Sequence, residues 1–476
     1  MAPAVWLSAA LSAGMKIAGS AAISPVHFSG SLPLMQSMAM EGSAFPISAA
    51  AMAQKGQPVG SAAPVIAASW AREVTKRPYS NTGLYSSDAM YDVLLELFCI
   101  LAILVCINHI WENAMPSKVL FAPMTYTQYD SDESLPARFD KLLDESPLKD
   151  IVKGKTVAIK FHVGSFLSFS TIAPIFVRKL VTKVKEWGGD CFLTDHAVQN
   201  RKPGDRGYTE DIIGCPVVDV AGMFGKYCYP KDVDYKTFKH VDVAGHIHDA
   251  DVMIDFSHVK GHGTCGFGGA CKNIAMGCVT DRTRGEIHGL EGGIEWDESK
   301  CIHCDQCVKS CNHYANQFTE EGQYEVNFHH CTNCQHCVKV CPTGAITLTE
   351  GAYKDFQEGM ALCTKTVLDC FEPGNVYYIN VLTSITALCD CWGFTTPSLV
   401  PDIGIMASHD IVALERASID SIKMENLIPQ GIPKGHDMSG TGHLFERLHG
   451  KNPFVQLEAL ERHGLGTQEY ELKRID

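Results

Sequence analysis

The 476-residue sequence has no basic run of the kind that binds nucleic acid, and 40 lysines and arginines against 54 aspartates and glutamates give a net charge of -14. That balance argues against a nucleic-acid partner and suits a protein that docks basic surfaces. A serine nucleophile elbow, an HExxH helix and a Walker phosphate loop are all missing, so the hydrolase and nucleotide-phosphatase classes find no support. Long apolar runs are wanting too. The nearest is VLLELFCILAILVCINHIW (93–111), whose unbroken core, Leu97–Ile107, is 11 residues between Glu96 and the pair Asn108 and His109. A membrane span takes roughly 20 apolar residues, which makes this stretch a weak anchor candidate at most and argues against membrane association.

Acidic side chains are nearly missing from the first 76 positions, where Glu41 and Glu73 stand among Ala, Ser, Gly and Met with no lasting helix or strand period. Such a composition buries too little apolar surface to offset chain entropy. Residues 1–114 therefore read as a low-complexity or disordered extension, a leader, or sequence upstream of a true start at Met115.

From Met115 onward the pattern is globular. TVAIKF (156–161) predicts a strand, and a helix follows with Pro174 in its first turn. Phe176, Val177, Leu180, Val181, Val184 and Trp187 give that helix one apolar face, and Gly188 and Gly189 close it. DCFLTD (190–195), PVVDV (216–220), DVMIDF (251–256) and NVYYINV (375–381) predict further strands, and DIVALERASIDSI (410–422) a late helix. The alternation predicts an α/β fold, a mainly parallel sheet with flanking helices. The expected organisation is an α/β domain over 115–294, an inserted cysteine-rich block over 295–350, a return to the α/β domain over 351–440, and a C-terminal tail over 441–476.

Eight of the twenty cysteines fall into two compact groups, unlike the scattered spacing of a secreted disulfide framework. This points to metal and to a reducing, cytoplasmic setting. Cys301, Cys304, Cys307 and Cys311 have x2, x2, x3 spacing, and Cys331, Cys334, Cys337 and Cys341 repeat it, ending at Pro342. In such runs the fourth cysteine reaches across to the other cluster. The expected cofactors are two 4Fe-4S clusters, one on Cys301, Cys304, Cys307 and Cys341, the other on Cys331, Cys334, Cys337 and Cys311. Structural zinc is the alternative, although zinc sites favour separated pairs over triplets with a trailing fourth ligand. His303, His313, His329, His330 and His336 crowd the same block, either tuning potentials or standing in solvated loops. The other twelve cysteines read mostly as small buried hydrophobes.

SHVKGHGTCGFGGACKNIAMGC (257–278) follows a predicted strand and leads toward a helix, the place where α/β sheets bind ligands. His258, Lys260 and His262 at alternate positions, with Lys272 and Asn273 beyond them, can grip an anion or carboxylate, while a tight structural turn explains the glycines nearly as well. CDC (389–391) offers Cys389 and Cys391 as soft-metal ligands alongside Cys278 or a loop histidine; two small residues in a crowded turn is the competing account. Lys160 and His162 can supply an anion clamp and a proton to the same cleft, with an ordinary surface role as the competing account for each.

Residues 295–350, closing with CPTGAITL (341–348), resemble a bacterial-type two-cluster ferredoxin domain, with Asn312 where that family has proline. The surrounding chain resembles the domain-of-unknown-function family 362 through VAIKFHVG (157–164), the 257–278 loop and LCDCWGFTTPSLVPDIGIMASHDIVAL (388–414), over roughly 115–440. The resemblance implies an α/β domain with an inserted α+β ferredoxin-like domain, and a distinctive loop of His258, Lys260, His262, Gly266, Gly268, Gly269, Lys272, Asn273 and Cys278. Ser165, Thr264 and Cys265 depart from the family pattern. The expected function is an iron-sulfur redox protein that passes electrons to a site on the α/β domain or to a redox partner protein. A small-molecule substrate would meet His258, Lys260, His262 and Lys272 as candidate catalytic residues. A bare electron-transfer module and a metal-stapled scaffold are the alternatives.

Overall fold

The computed structural model describes residues 116–165, 167–311, 314–326, 331, 336–349, 351–432, 436 and 438–476. The extension 1–114, with its apolar stretch 93–111 and with Cys99 and Cys106, lies outside the described residues, as do Asn312, His313, His329, His330 and Cys334. Among the described residues no helix is long and apolar enough to cross a membrane.

Strands β1 (Ser117–Pro123), β2 (Thr156–Phe161), β3 (Asp190–Asp195) and β4 (Val217–Asp219) are followed by a hairpin of β5 (Cys228–Tyr235) and β6 (Phe238–Ala244), then by β7 (Val252–His258). Alternation along β2 sorts its side chains onto two faces. Val157, Ile159 and Phe161 enter one core with helices α1 (Leu135–Glu145) and α2 (Pro174–Glu186), while Ala158 enters the other. The glycine-histidine segment forms a hairpin of β8 (Lys260–His262) and β9 (Gly266–Gly268), leading into α3 (Ala270–Gly277) and α4 (Asp281–Gly289).

The cysteine-rich block comes next. β10 (Ile294–Trp296), helix α5 (Gln306–Lys309), β11 (Asn316–Phe318), β12 (Tyr324–Val326), helix α6 (His336–Val340) and β13 (Ile346–Leu348) form two antiparallel ribbons, β10 with β13 and β11 with β12. Cys307, Cys337 and Ile346 form a small core of their own, with Trp296, Phe318 and Tyr324 packed against it. The chain enters and leaves at one place, where the Thr349 amide donates to the Gly293 carbonyl at 3.0 Å.

Helix α7 (Tyr353–Leu368), strands β14 (Val376–Leu382) and β15 (Gly404–Ser408), helices α8 (Ile411–Asp420), α9 (Leu444–His449) and α10 (Phe454–Arg462), and strand β16 (Tyr470–Arg474) complete the chain. Helices α3, α7, α8, α9 and α10 contribute to the second core. The main sheet has eight strands in the order β16-β1-β15-β14-β7-β2-β3-β4. Its pairs are parallel except the two made by β15, so the sheet is mainly parallel.

The strands expected at 156–161 and 190–195 occupy those residues, and the late helix runs within 410–422. Residues 441–476 differ from the expected tail. Leu444, Phe445, Leu457 and Leu460 are buried, and β16 pairs in parallel with β1. The sequence hides this because the helices are short and β16 is a largely exposed edge strand without apolar alternation.

Candidate functional site

From β2 the chain moves outward to β3 and β4, then lays β7 on the opposite side of β2. The strand order reverses between β2 and β7, and the crevice beyond their carboxyl ends is where such sheets bind ligands. Lys160 and His162 at the end of β2, Asp195 at the end of β3 and His258 at the end of β7 meet there.

Lys160 is fully buried. Its Nζ donates to Asp195 Oδ1 at 3.0 Å, Asn273 Oδ1 at 2.5 Å and the Phe161 carbonyl at 3.1 Å. The lysine therefore anchors the crevice and has no free ammonium for the anion clamp expected of it. Gly277 makes this packing feasible, because a Cβ there would lie 2.2 Å from Lys160 Cε. Burial pushes the Asp195 carboxyl up, but Lys160, His162 and Arg201 hold it well below the usual range. Asn273 Nδ2 donates to Asp255 Oδ1 at 2.8 Å; burial raises the Asp255 carboxyl to about 7.

Asp195 also faces His162, with Oδ2 3.0 Å from Nδ1. Burial lowers the His162 pKa, so the neutral ring gives Nδ1-H to the carboxylate. Its Nε2 is buried without a hydrogen-bond partner among the described residues. A lone pair oriented by Asp195 is the arrangement of a general base.

Asp390 organises the other side. Its Oδ2 accepts from Lys260 Nζ and lies 3.2 Å from His258 Nδ1, while Oδ1 accepts from Ser170 Oγ at 2.8 Å. Lys260 and His258 hold the Asp390 carboxyl far down against the opposing effect of burial. His258 Nε2 lies 2.6 Å from the Thr383 carbonyl. Both His258 nitrogens thus face oxygen acceptors. His258 and Lys260 line the crevice, but their polar atoms are engaged with Asp390 and Thr383.

Cys389 and Cys391 flank Asp390. Lys272 Nζ lies 3.5 Å from the Cys389 sulfur and 3.6 Å from that of Cys391. A hydrogen bond from Cys391 pulls the Cys389 thiol far down, with the Lys272 charge helping against burial, and the same hydrogen bond together with burial raises Cys391. His262 Nε2 is 3.8 Å from Cys391 Sγ. His262, Cys389 and Cys391 place their ligand atoms within 4.8 Å of one another, a group that can hold a metal ion. Cys278, offered as a partner by the sequence, instead lies buried with its sulfur 4.0 Å from Met253 Sδ. Of the candidate catalytic residues, His258, Lys260 and Lys272 line one cavity of about 50 Å³ with His162, Cys389 and Cys391. His262 reaches this group through its sulfur contact.

Asp195, Arg201 and Arg284 also line the cavity, Asp390 stands behind it holding Lys260 and His258, and none of the four was singled out from the sequence. Asp390 stands inside the CDC motif, and Asp195 closes a strand expected beside β2. Those positions were signals; the two arginines carried none.

In the cysteine-rich block, Cys301, Cys304, Cys307 and Cys341 line one small cavity with Phe318, Ala345 and Ile346. Cys341 comes from the second run of four and joins three from the first. Of the other set, Cys311, Cys331 and Cys337 are described.

The family described as "Domain of unknown function (DUF362)" matches residues 157–420. The chain belongs to this family. The DUF362 region runs from β2 to the end of α8, and so takes in every crevice residue named above together with the cysteine-rich block. No curated protein matches the chain. Among solved structures, the lactate racemase apoprotein from Thermoanaerobacterium thermosaccharolyticum is similar at 12% identity and a TM-score of 0.27, over 56% of this chain and 51% of that one. A Thermotoga maritima protein is similar at 11% identity and a TM-score of 0.29, over 54% and 52%. The DUF362 chain thus spans about half the length of each of these structures, and likeness of this depth carries no argument about function.

Proposed function

We propose that the protein is an iron-sulfur redox protein whose cysteine-rich block is a two-cluster ferredoxin-like domain serving a site at the carboxyl edge of the α/β sheet. The observation that carries this reading is the convergence of Cys301, Cys304, Cys307 and Cys341 on one cavity. Four thiolates converging from two x2, x2, x3 runs suit a 4Fe-4S cluster. The second set would be Cys331, Cys334, Cys337 and Cys311. When bound, each cluster supplies one-electron transfer.

The chain's own residues would tune this. The His303 amide donates to Cys301 Sγ at 3.5 Å and the Ala315 amide to Cys311 Sγ at 3.2 Å. Hydrogen bonds to ligand sulfur favour the more negative, reduced state. Trp296, Phe318 and Tyr324 pack on Cys307 and Cys337 and limit water access. Electrons would pass to the sheet-edge crevice or to a docked redox partner protein, in a cytoplasmic setting that keeps thiols reduced. At the crevice, His162 is better placed than His258 to move a proton, because its Nε2 is free of partners.

The test is oxygen-free purification of the full chain, with iron, sulfide and zinc quantitation and electron paramagnetic resonance after reduction. About eight irons per chain and two interacting reduced-cluster signals are expected. Stoichiometric zinc with little iron would overturn the reading.

A further inference from the structure

A second metal centre, independent of the cysteine-rich block, is built into the sheet edge. We propose that His262, Cys389 and Cys391 bind a borderline-soft divalent cation of the zinc and cobalt class, leaving one coordination position open to a small carboxylate. This does not rest on the iron-sulfur reading, because none of these residues belongs to the two cysteine runs.

The local fold explains why a Cys-x-Cys pair can serve here. Asp390, between the two sulfurs, is fastened by Lys260, His258 and Ser170, which fixes the turn and leaves both flanking thiols at the cavity. His262 arrives from the other side on the β8–β9 hairpin. Gly261 allows the approach: its amide donates to the Thr386 carbonyl at 2.9 Å, and a Cβ would lie 2.3 Å from the Ala387 carbonyl oxygen. The result is three donors within 4.8 Å, two sulfur and one nitrogen.

Two sulfurs and an imidazole select against magnesium and calcium, which take oxygen ligands, and favour zinc-like ions. Three protein ligands with a fourth position open is the pattern of reactive zinc sites, whereas purely structural sites are closed by four. At His262 the Cys265 thiol donates to the Phe267 carbonyl at 3.0 Å, leaving its sulfur to accept from Nδ1 at 3.4 Å. That tautomer frees Nε2 for a cation. The Thr264 amide donates to Nδ1 at 3.2 Å, which favours the competing tautomer with the proton on Nε2, so cation binding shifts that proton to Nδ1 and breaks this contact.

Lys272 supplies a second clue. Its ammonium lies within 3.6 Å of both sulfurs, where it acts as the counter-charge a bound cation would displace. Arg201 and Arg284 line the same cavity, and Arg284 Nε is buried without a partner among the described residues. Once the cation takes the sulfurs, three positive side chains surround its open position. An anionic oxygen ligand is the chemistry that such a rim accepts.

The experiment uses full-length protein purified without oxygen, titrated with cobalt(II), with cobalt K-edge X-ray absorption and iron determined on the same samples. About one cobalt per chain with two sulfurs and one nitrogen in its shell is expected. C389S and C391S should each lose one sulfur from that shell with iron content unchanged, so failure here is distinguishable from failure of the two-cluster reading. K272Q should tighten cobalt binding by removing the competing ammonium, which guards against misreading a cysteine variant that folds poorly. Acetate should alter the cobalt spectrum in the wild-type protein and do so less in R284A. A four-sulfur shell, cobalt uptake unaffected by the double cysteine variant, weaker uptake in K272Q, or an acetate response equal in R284A would overturn the proposal.

Discussion

Lys160 and Asp195 form a buried ion pair of 3.0 Å between the neighbouring strands β2 and β3, beside the switch point of the sheet. The lysine has no exposed surface and the carboxylate almost none, and Lys160 is the full cation in direct contact with Asp195. Replacing Lys160 with methionine should cost about 3–5 kcal/mol, because the Asp195 charge would remain buried and unpaired. Urea unfolding measures this. A loss below about 1 kcal/mol would show that the pair does not anchor the crevice.

Acid sensitivity follows from the same carboxylate. Asp195 and Asp390 are held well below the usual range in the folded chain, so their contribution is present above the unfolded carboxyl pKa and lost as pH falls toward the folded values. Lys260→Met should blunt the Asp390 share of this acid limb as well as lowering stability at neutral pH. Unfolding midpoints for wild type and variant between neutral pH and about pH 3 test it. Profiles that differ only by a constant offset would contradict it.

Asp255 works in the opposite direction. Burial raises it from 3.8 to about 7, so its protonated form is favoured by folding and stability should decline as pH rises across that interval. The span corresponds to up to roughly 4 kcal/mol. Asp255→Asn should flatten the decline, measured as unfolding free energy against pH. Parallel curves for wild type and variant would refute the assignment.

Gly277→Ala should be poorly tolerated although alanine is the better helix former. The added methyl would meet the Lys160 side chain at 2.2 Å, and overpacking of this kind costs about 1–3 kcal/mol. Gly285→Ala, where a Cβ meets nothing within 4 Å, is the control and should be neutral or stabilising. Thermal unfolding of both variants separates the packing effect from helix propensity.

The crossed ligand sets predict selective damage. On the proposed two-cluster reading, Cys341→Ser, from the second run, should disturb the cluster assigned to Cys301, Cys304 and Cys307 and spare the other. Electron paramagnetic resonance of the reduced protein should lose the interaction between clusters. Loss confined to the set of Cys331, Cys334 and Cys337 would mean that each run closes on itself.

The parallel strands were legible because a strand buried on both faces reads as a near-continuous apolar run, as TVAIKF does. Lys160 inside that run was also a signal, since a charge in a buried strand demands a partner. Its partner could not be named, because Asp195 lies on another strand and only the sheet order brings the two together. The glycine-histidine segment was legible as a site but not as a hairpin, since its short strands lack alternation and pair glycine with side chains on the opposite strand. Cys278 shows the converse. Its place in the motif implied a role with Cys389 and Cys391, yet the turn of α3 carries it to the core beside Met253.

The Thr349–Gly293 hydrogen bond, at the point where the cysteine-rich block leaves the α/β chain, makes the block a separable unit. Because the two ends of the block meet, about a tenth of the chain behaves as a cassette that, among the described residues, contributes no strand to the main sheet. A single splice between Gly293 and Thr349 would therefore remove the block and leave every strand of the eight-stranded sheet, and the crevice at its edge, in place.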